Sequence, residues 1–229
     1  MSNPDSRHNY FAWPTIARLQ NGKLTVVASG YRLRHICPFG KAVISYSEDD
    51  GKTYTVPAPV IDTLLDDRDA GILAFGEKNV IVTSFTLTED AQCAHVPAGD
   101  DYSNVYLDTI IAEEEAEYKG SLFRISTDGG VTFGSIKKSP VSSPHGPIRL
   151  KDGSILCHIR MGDVQGKKFD TIYQSISRDG GRTFSRPEPY FTAKRRSAGI
   201  FDAAQLRHTD ICVQLQGEAY RNPCYVQQG

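Results

Sequence analysis

The 229-residue sequence has almost no net charge, one tryptophan, two methionines and no long hydrophobic run. Lys and Arg total 26 against 27 Asp and Glu, a formal net charge of -1. A chain so balanced has no bulk field to draw it onto nucleic acid or an anionic membrane, so neither is expected as a partner. Its apolar stretches are too short to span a bilayer, and no membrane segment is expected. The five cysteines, Cys37, Cys93, Cys157, Cys212 and Cys224, are scattered, odd in number and without metal-site spacing. They read as small buried hydrophobes, not as a disulfide framework or zinc site. The opening stretch MSNPDSRHNYFAWPT has no cationic segment followed by an apolar core, so no signal peptide is visible. Also missing are a Gly-rich phosphate loop, a His-Glu-x-x-His pair, an EF-hand loop and a Gly-x-Ser-x-Gly elbow; no cofactor or metal is expected.

What the chain does contain is a repeat. The segments SEDDGKTY, STDGGVTF and SRDGGRTF share the pattern Ser-x-Asp-x-Gly-x-Thr-aromatic, carried by Ser47, Asp49, Gly51, Thr53 and Tyr54, by Ser126, Asp128, Gly130, Thr132 and Phe133, and by Ser177, Asp179, Gly181, Thr183 and Phe184. One Asp-Gly or Gly-Gly step marks a turn anywhere, but three copies agreeing at five positions mark a repeated unit. Asp and Ser side chains bond nearby backbone groups, Gly takes positive φ, and the aromatic returns as a packing anchor. These aspartates are therefore structural.

A second repeated phrase precedes each turn, beginning at Pro14, Ala70, Gly146 and Asp202, at intervals of 56, 76 and 56 residues. Each phrase is an apolar strand, a tight turn such as Asn21-Gly22 or Asp152-Gly153, and a second strand rich in Val, Ile or Leu. A third strand follows (AVISYS, SLFRIS, TIYQSIS) and then the Ser-Asp-Gly-Thr turn. Four antiparallel strands per unit make the blade of a β-propeller. The longer middle interval holds an insertion; an amphipathic helix is one reading of it, but VYLDTII reads better as strand and the acidic cluster Glu113, Glu114, Glu115 and Glu117 as a solvated loop or hairpin tip. Propellers close with about 4 to 8 blades, and three complete blades are followed here by a fourth that is unfinished, so residues 1–229 read as one propeller domain truncated at its C-terminus. An open edge of that kind would offer a surface for self-association.

By its three turns, the strand phrase before them and their alternation, the sequence resembles the Asp-box (bacterial neuraminidase repeat) sialidase superfamily over essentially the whole chain. The resemblance implies a six-bladed propeller and an exo-acting glycoside hydrolase or related carbohydrate-active protein. It also implies an arginine triad for a substrate carboxylate, a Tyr-Glu nucleophile pair and an acid/base Asp. The family's Phe-Arg-Ile-Pro motif corresponds to Phe11-Ala12-Trp13-Pro14, with Ala12 at the place of the arginine. The following loop, YRLRHICPFGKA, contains no aspartate, Arg160 matches the second triad arginine, and Pro144 or His145 stands near the place of the glutamate.

Four places put polar groups where strand ends of such a propeller converge. In Tyr31-Arg32-Leu33-Arg34-His35, alternation sets Arg32 and Arg34 on one side, able to pair with a carboxylate or sulfate, with His35 as a proton carrier or hydroxyl partner. In Asp66-Asp67-Arg68-Asp69, acids and a base open an inner strand, and Asp67 or Asp69 would supply a catalytic carboxyl group beside Arg68. The third place is His145 with Arg160, and the fourth is Asp202 with Glu218 and Arg221, Glu218 being the natural second carboxylate. The expected function is a sialidase-like glycoside hydrolase for a terminal sugar, acidic in view of the arginines; the alternative is a carbohydrate-binding propeller without catalysis.

Overall fold

The computed structural model describes residues 1–160 and 171–192. They form an all-β architecture of three four-stranded antiparallel sheets, each running in simple chain order. The first holds β1 (Tyr10–Arg18), β2 (Leu24–Arg32), β3 (Lys41–Ser47) and β4 (Ala58–Ile61). The second holds β5 (Asp66–Phe75), β6 (Asn79–Leu87), β7 (Ser121–Ser126) and β8 (Lys137–Lys138). The third holds β9 (Ile148–Arg149), β10 (Ile155–Arg160), β11 (Thr171–Ser177) and β12 (Glu188–Thr192). Three meandering sheets of this kind are successive blades of a β-propeller.

The blades pack face to face through β-branched and other aliphatic side chains. Val27, Ala42, Ile44, Val60 and Ile61 of the first blade meet Ala70, Ile72, Val80, Val82 and Leu122 of the second in one buried cluster. The first strand of each blade lies innermost. There β5 and the segment leading into β9 approach so closely that a Cβ on Gly71 would stand 1.9 Å from the Gly146 nitrogen, which leaves room for glycine alone. Thr15 Oγ1 of β1 donates to the Ala70 carbonyl of β5 at 3.2 Å, tying a second pair of inner strands.

The three repeated turns join the third and fourth strands of their blades and share one hydrogen-bond pattern. The Ser47, Ser126 and Ser177 hydroxyls each accept from a glycine N–H four residues on (Gly51, Gly130, Gly181), at 2.8 Å in every case. Each hydroxyl donates to the aspartate two residues on, at 2.7–2.9 Å. That aspartate in turn accepts from the threonine N–H and hydroxyl. The turns also fasten neighbouring blades. Phe184 sits edge-on against Phe123 of the blade before it, at 5.5 Å, and the Tyr46 hydroxyl of the first blade donates to the Gly130 carbonyl of the second. Tyr54, whose turn has no preceding blade among the described residues, is 43% exposed.

The insertion of the second blade differs from the sequence expectation. VYLDTII and the acidic cluster are not strand and loop: the segment forms three short helices, α1 (Glu89–Cys93), α2 (Asp101–Leu107) and α3 (Ala112–Tyr118). Thr88 and Asp100 cap the first two, each accepting the N–H three residues on. Glu113, Glu114 and Glu115 fill the first turn of α3, where a helix favours negative charge. Cys93 also departs from expectation, being exposed on α1, whereas Cys37 and Cys157 are buried; Cys212 and Cys224 lie outside the described residues. Among the described residues no helix is long and apolar enough to cross a membrane.

Hydrogen bonds from the threonine and serine hold the Asp49 and Asp179 carboxyls down to about 2 and lower that of Asp128 as well. A carboxyl depressed in the folded state adds stability above its unfolded value near 4 and loses it as pH falls toward 2. Thermal melts between pH 5 and 2 are therefore expected to show a falling midpoint, with a smaller fall in Asp128→Asn. Equal falls in both proteins would contradict this role for the turn.

Candidate active site

The starts of β1 and β5, the β2–β3 loop, the segment before β9 and the helical insertion lie at one end of the blades; the repeated turns lie at the other. At the first end two strands carry the same irregularity. The register of β1 on β2 slips between Ala12 and Thr15, and that of β5 on β6 between Arg68 and Gly71, one extra residue in each inner strand. Trp13 and Asp69 occupy these bulges in left-handed backbone, at φ 53° and 46°. His145, three residues before Ile148 as Asp69 is before Ile72 and Trp13 before Ile16, has φ 65°. Left-handed backbone is uncommon for residues other than glycine and costs roughly 1–3 kcal/mol each. Here it falls on corresponding positions of three consecutive blades.

Beneath the bulges is a water-excluded ion cluster. Arg32, at the end of β2, bonds Asp66 at 2.5 Å, the Asp67 carbonyl at 3.0 Å and the His35 carbonyl at 2.8 Å. Both side chains of the Arg32–Asp66 pair have 0% exposure. Asp66 also receives the Cys37 N–H at 3.1 Å and Arg68 at 3.2 Å. Burial pushes the Asp66 carboxyl up, against the pull of Arg32 and then of Arg68. Gly40 lies directly over the pair: a Cβ there would be 2.3 Å from an Arg32 nitrogen.

Arg68, its side chain only 7% exposed, extends this cluster toward the bulges. Its guanidinium donates to the His35 carbonyl at 3.1 Å and reaches His35 Nε2 at 3.2 Å. Since an arginine only donates, Nε2 is the acceptor in this contact. The Trp13 ring stands edge-on to His35 at 4.9 Å, with the Arg68 and Arg32 guanidiniums 5.3 and 5.7 Å from its centroid.

The sequence-derived residues thus divide. Arg68, His35 and Asp69 come together at this end, with His145 nearby: its Nδ1 lies 3.4 Å from Thr15 Oγ1. The Asp69 N–H donates to Ser29 at 2.9 Å, while its half-buried carboxyl makes no hydrogen bond or ion pair among the described residues. Arg32 is buried under the site. Arg34 does not share a side with it, because β2 ends at Arg32; Arg34 turns to α2, bonding Asp100 at 2.6 Å and Ser103 at 3.0 Å. Asp67 is also fully buried and accepts from the Thr63 N–H at 2.7 Å and hydroxyl at 3.2 Å. Burial raises its carboxyl to about 8. Arg160 closes β10 opposite Ile172, and Asp202, Glu218 and Arg221 lie outside the described residues. Trp13 was not singled out as a site residue by sequence reasoning, though a signal was there: Trp13, Asp69 and His145 each stand one place before a repeated phrase.

No family model and no curated protein matches the sequence. Among solved structures, the chain is similar to the NanB sialidase from Streptococcus pneumoniae, at 13% identity and a TM-score of 0.57, covering 83% of this chain and 46% of that one. A Hadza microbial sialidase matches at 16% identity and a TM-score of 0.53, covering 78% and 37%. A protein of unknown function from Dyadobacter fermentans matches at 17% and 0.52, covering 79% and 54%. The chain spans about half the length of these structures or less. At such identities the likeness is one of fold, the β-propeller of the sialidases.

The Asp67 carboxyl makes its own prediction. Raised above the unfolded value near 4, it stabilises the fold fully below pH 4, and that stability is lost as pH rises through about 8. Urea titrations from pH 5 to 9 are expected to show stability declining with pH, by at most about 1.4 kcal/mol per unit from this group, and declining less in Asp67→Asn. Parallel pH profiles would mean that Asp67 is charged or hydrated in the folded protein.

Proposed function

We propose that the chain is part of an Asp-box, sialidase-like propeller that acts as a glycoside hydrolase on a terminal acidic sugar. The observation that carries this reading is Asp69: a carboxyl group without a partner among the described residues, held in left-handed backbone on an inner strand beside the Arg68–His35 pair. Strained residues persist where surrounding structure over-determines them, and they cluster at active sites. The fold shared with sialidases supports the same reading at the level of scaffold.

In this reading Asp69 gives a proton to the leaving glycosidic oxygen as the bond to the anomeric carbon breaks. A second carboxylate, or water that it activates, forms the new bond at that carbon. Asp67 is closed off from the cleft, so its role is to support β5; Glu218 is the second carboxylate the sequence offers. Arg68, with His35, binds the substrate anion, and His145 binds a hydroxyl. Arg32 supports Arg68 from below through Asp66, and Arg34 holds the insertion in place.

The test is hydrolysis by the full-length protein across chromogenic sialosides, uronides and neutral glycosides. Turnover of an acidic glycoside is expected, reduced by about 100-fold or more in Asp69→Asn while the melting midpoint is retained. Turnover unchanged in that variant would remove Asp69 from the chemistry. Saturable glycan binding with no turnover would make the protein a carbohydrate-binding propeller.

A further inference from the structure

We infer that Trp13 is the platform on which a sugar ring stacks, its indole covering the apolar C–H face of a pyranose whose hydroxyl and anionic groups meet Asp69, Arg68 and His145. The inference rests on the carbohydrate reading of the site and adds a residue and a binding mode to it.

Three observations lead there. First, a bulky aromatic residue at φ 53° is a genuine outlier, and the strain has no explanation in core packing, since Trp13 does not belong to the buried cluster between the blades. Second, the ring is only half-buried, although its surroundings hold it firmly. His35 meets it edge-on, two guanidiniums lie within 6 Å of its centroid, and Tyr10 leans on it at 6.1 Å and 58°. A rigid, amphipathic ring with one part packed and another part open is suited to a ligand that has both apolar and polar faces. Third, Trp13 occupies the inner-strand place in the first blade that Asp69 and His145 occupy in the next two. One level of the cleft therefore presents an aromatic surface, a carboxyl group and an imidazole in succession, the mixture of one apolar wall and a few placed polar groups that a sugar needs.

Because Trp13 is the only tryptophan in the sequence, its fluorescence reports on the site, and Trp13→Phe isolates that emission in the full-length protein. The probes are methyl sialoside, methyl glucuronide and methyl glucoside, titrated into Asp69→Asn protein to keep binding separate from turnover, with calorimetry alongside. A saturable change in Trp13 emission is expected with a sugar that binds. Affinity should fall about tenfold in Trp13→Ala and about threefold or less in Trp13→Phe, which keeps an aromatic surface. Calorimetric binding with Trp13 emission unmoved would overturn the inference, as would binding of none of the three sugars. If Trp13→Ala fails to fold, the emission of the parent and the affinity of Trp13→Phe still decide. A saturable emission change without turnover in the Asp69-intact protein would remove the hydrolase reading and leave the platform; turnover with unmoved emission would do the reverse.

Discussion

Arg32 and Asp66 lie side by side with no access to water, and the geometry of the cleft depends on that pair. A buried charge without a partner is severely destabilising, so each group is tied on several sides. Arg32 spends its remaining donors on the carbonyls of Asp67, His35 and Arg34, which anchors the β2–β3 loop. Asp66 takes the Cys37 N–H of the same loop and the Arg68 guanidinium. The pair thereby joins the first blade to the second and fixes Arg68, which in turn holds His35 and borders Trp13. Two arginines share one carboxylate here, because the Asp67 carboxyl is bonded by Thr63 and by neither arginine. An anion arriving at Arg68 would meet a cluster with more cationic than anionic partners.

The two ends of the blades have different tasks. At one end the repeated turns satisfy their own backbone and clasp the neighbouring blade, through Tyr46 to Gly130 and Phe184 to Phe123. At the other, the inner strands break their ladders at bulges that turn single side chains out of the regular alternation. A blade repeat thus carries a constant part and a variable part: serine, aspartate, glycine and threonine recur in the first, while the left-handed position before each phrase holds tryptophan, aspartate and histidine in turn. The helical insertion walls this second end, docked by the Tyr102–Phe39 stack at 4.5 Å and by Arg34 on the cap of α2.

The blade architecture was legible because its markers are local. A Ser-x-Asp-x-Gly-x-Thr turn closes on itself, and the hairpins at Asn21-Gly22 and Asp152-Gly153 are closed by glycines at φ 87° and 84°. The insertion is not legible in the same way, because VYLDTII has strand-forming residues while the helix cap, Asp100 accepting from the Ser103 N–H, lies before it. The polar residues at Arg68, His35 and Asp69 were marked by composition alone, but their directions were not. Period-two alternation sets Asp67 and Asp69 alike; the bulge between Arg68 and Gly71 breaks that period and leaves Asp67 buried beside Thr63. The same logic fails for Arg32 and Arg34, where the strand ends between them.

The most direct measurement is a crystal structure of the full-length protein soaked with a sialoside or uronide. The account predicts a sugar ring against Trp13, with its anionic group on Arg68 and a hydroxyl or glycosidic oxygen within hydrogen-bond reach of Asp69. A sugar bound instead at the opposite end of the blades, in the polar hollow between Arg18, Glu77 and Arg149, would contradict it.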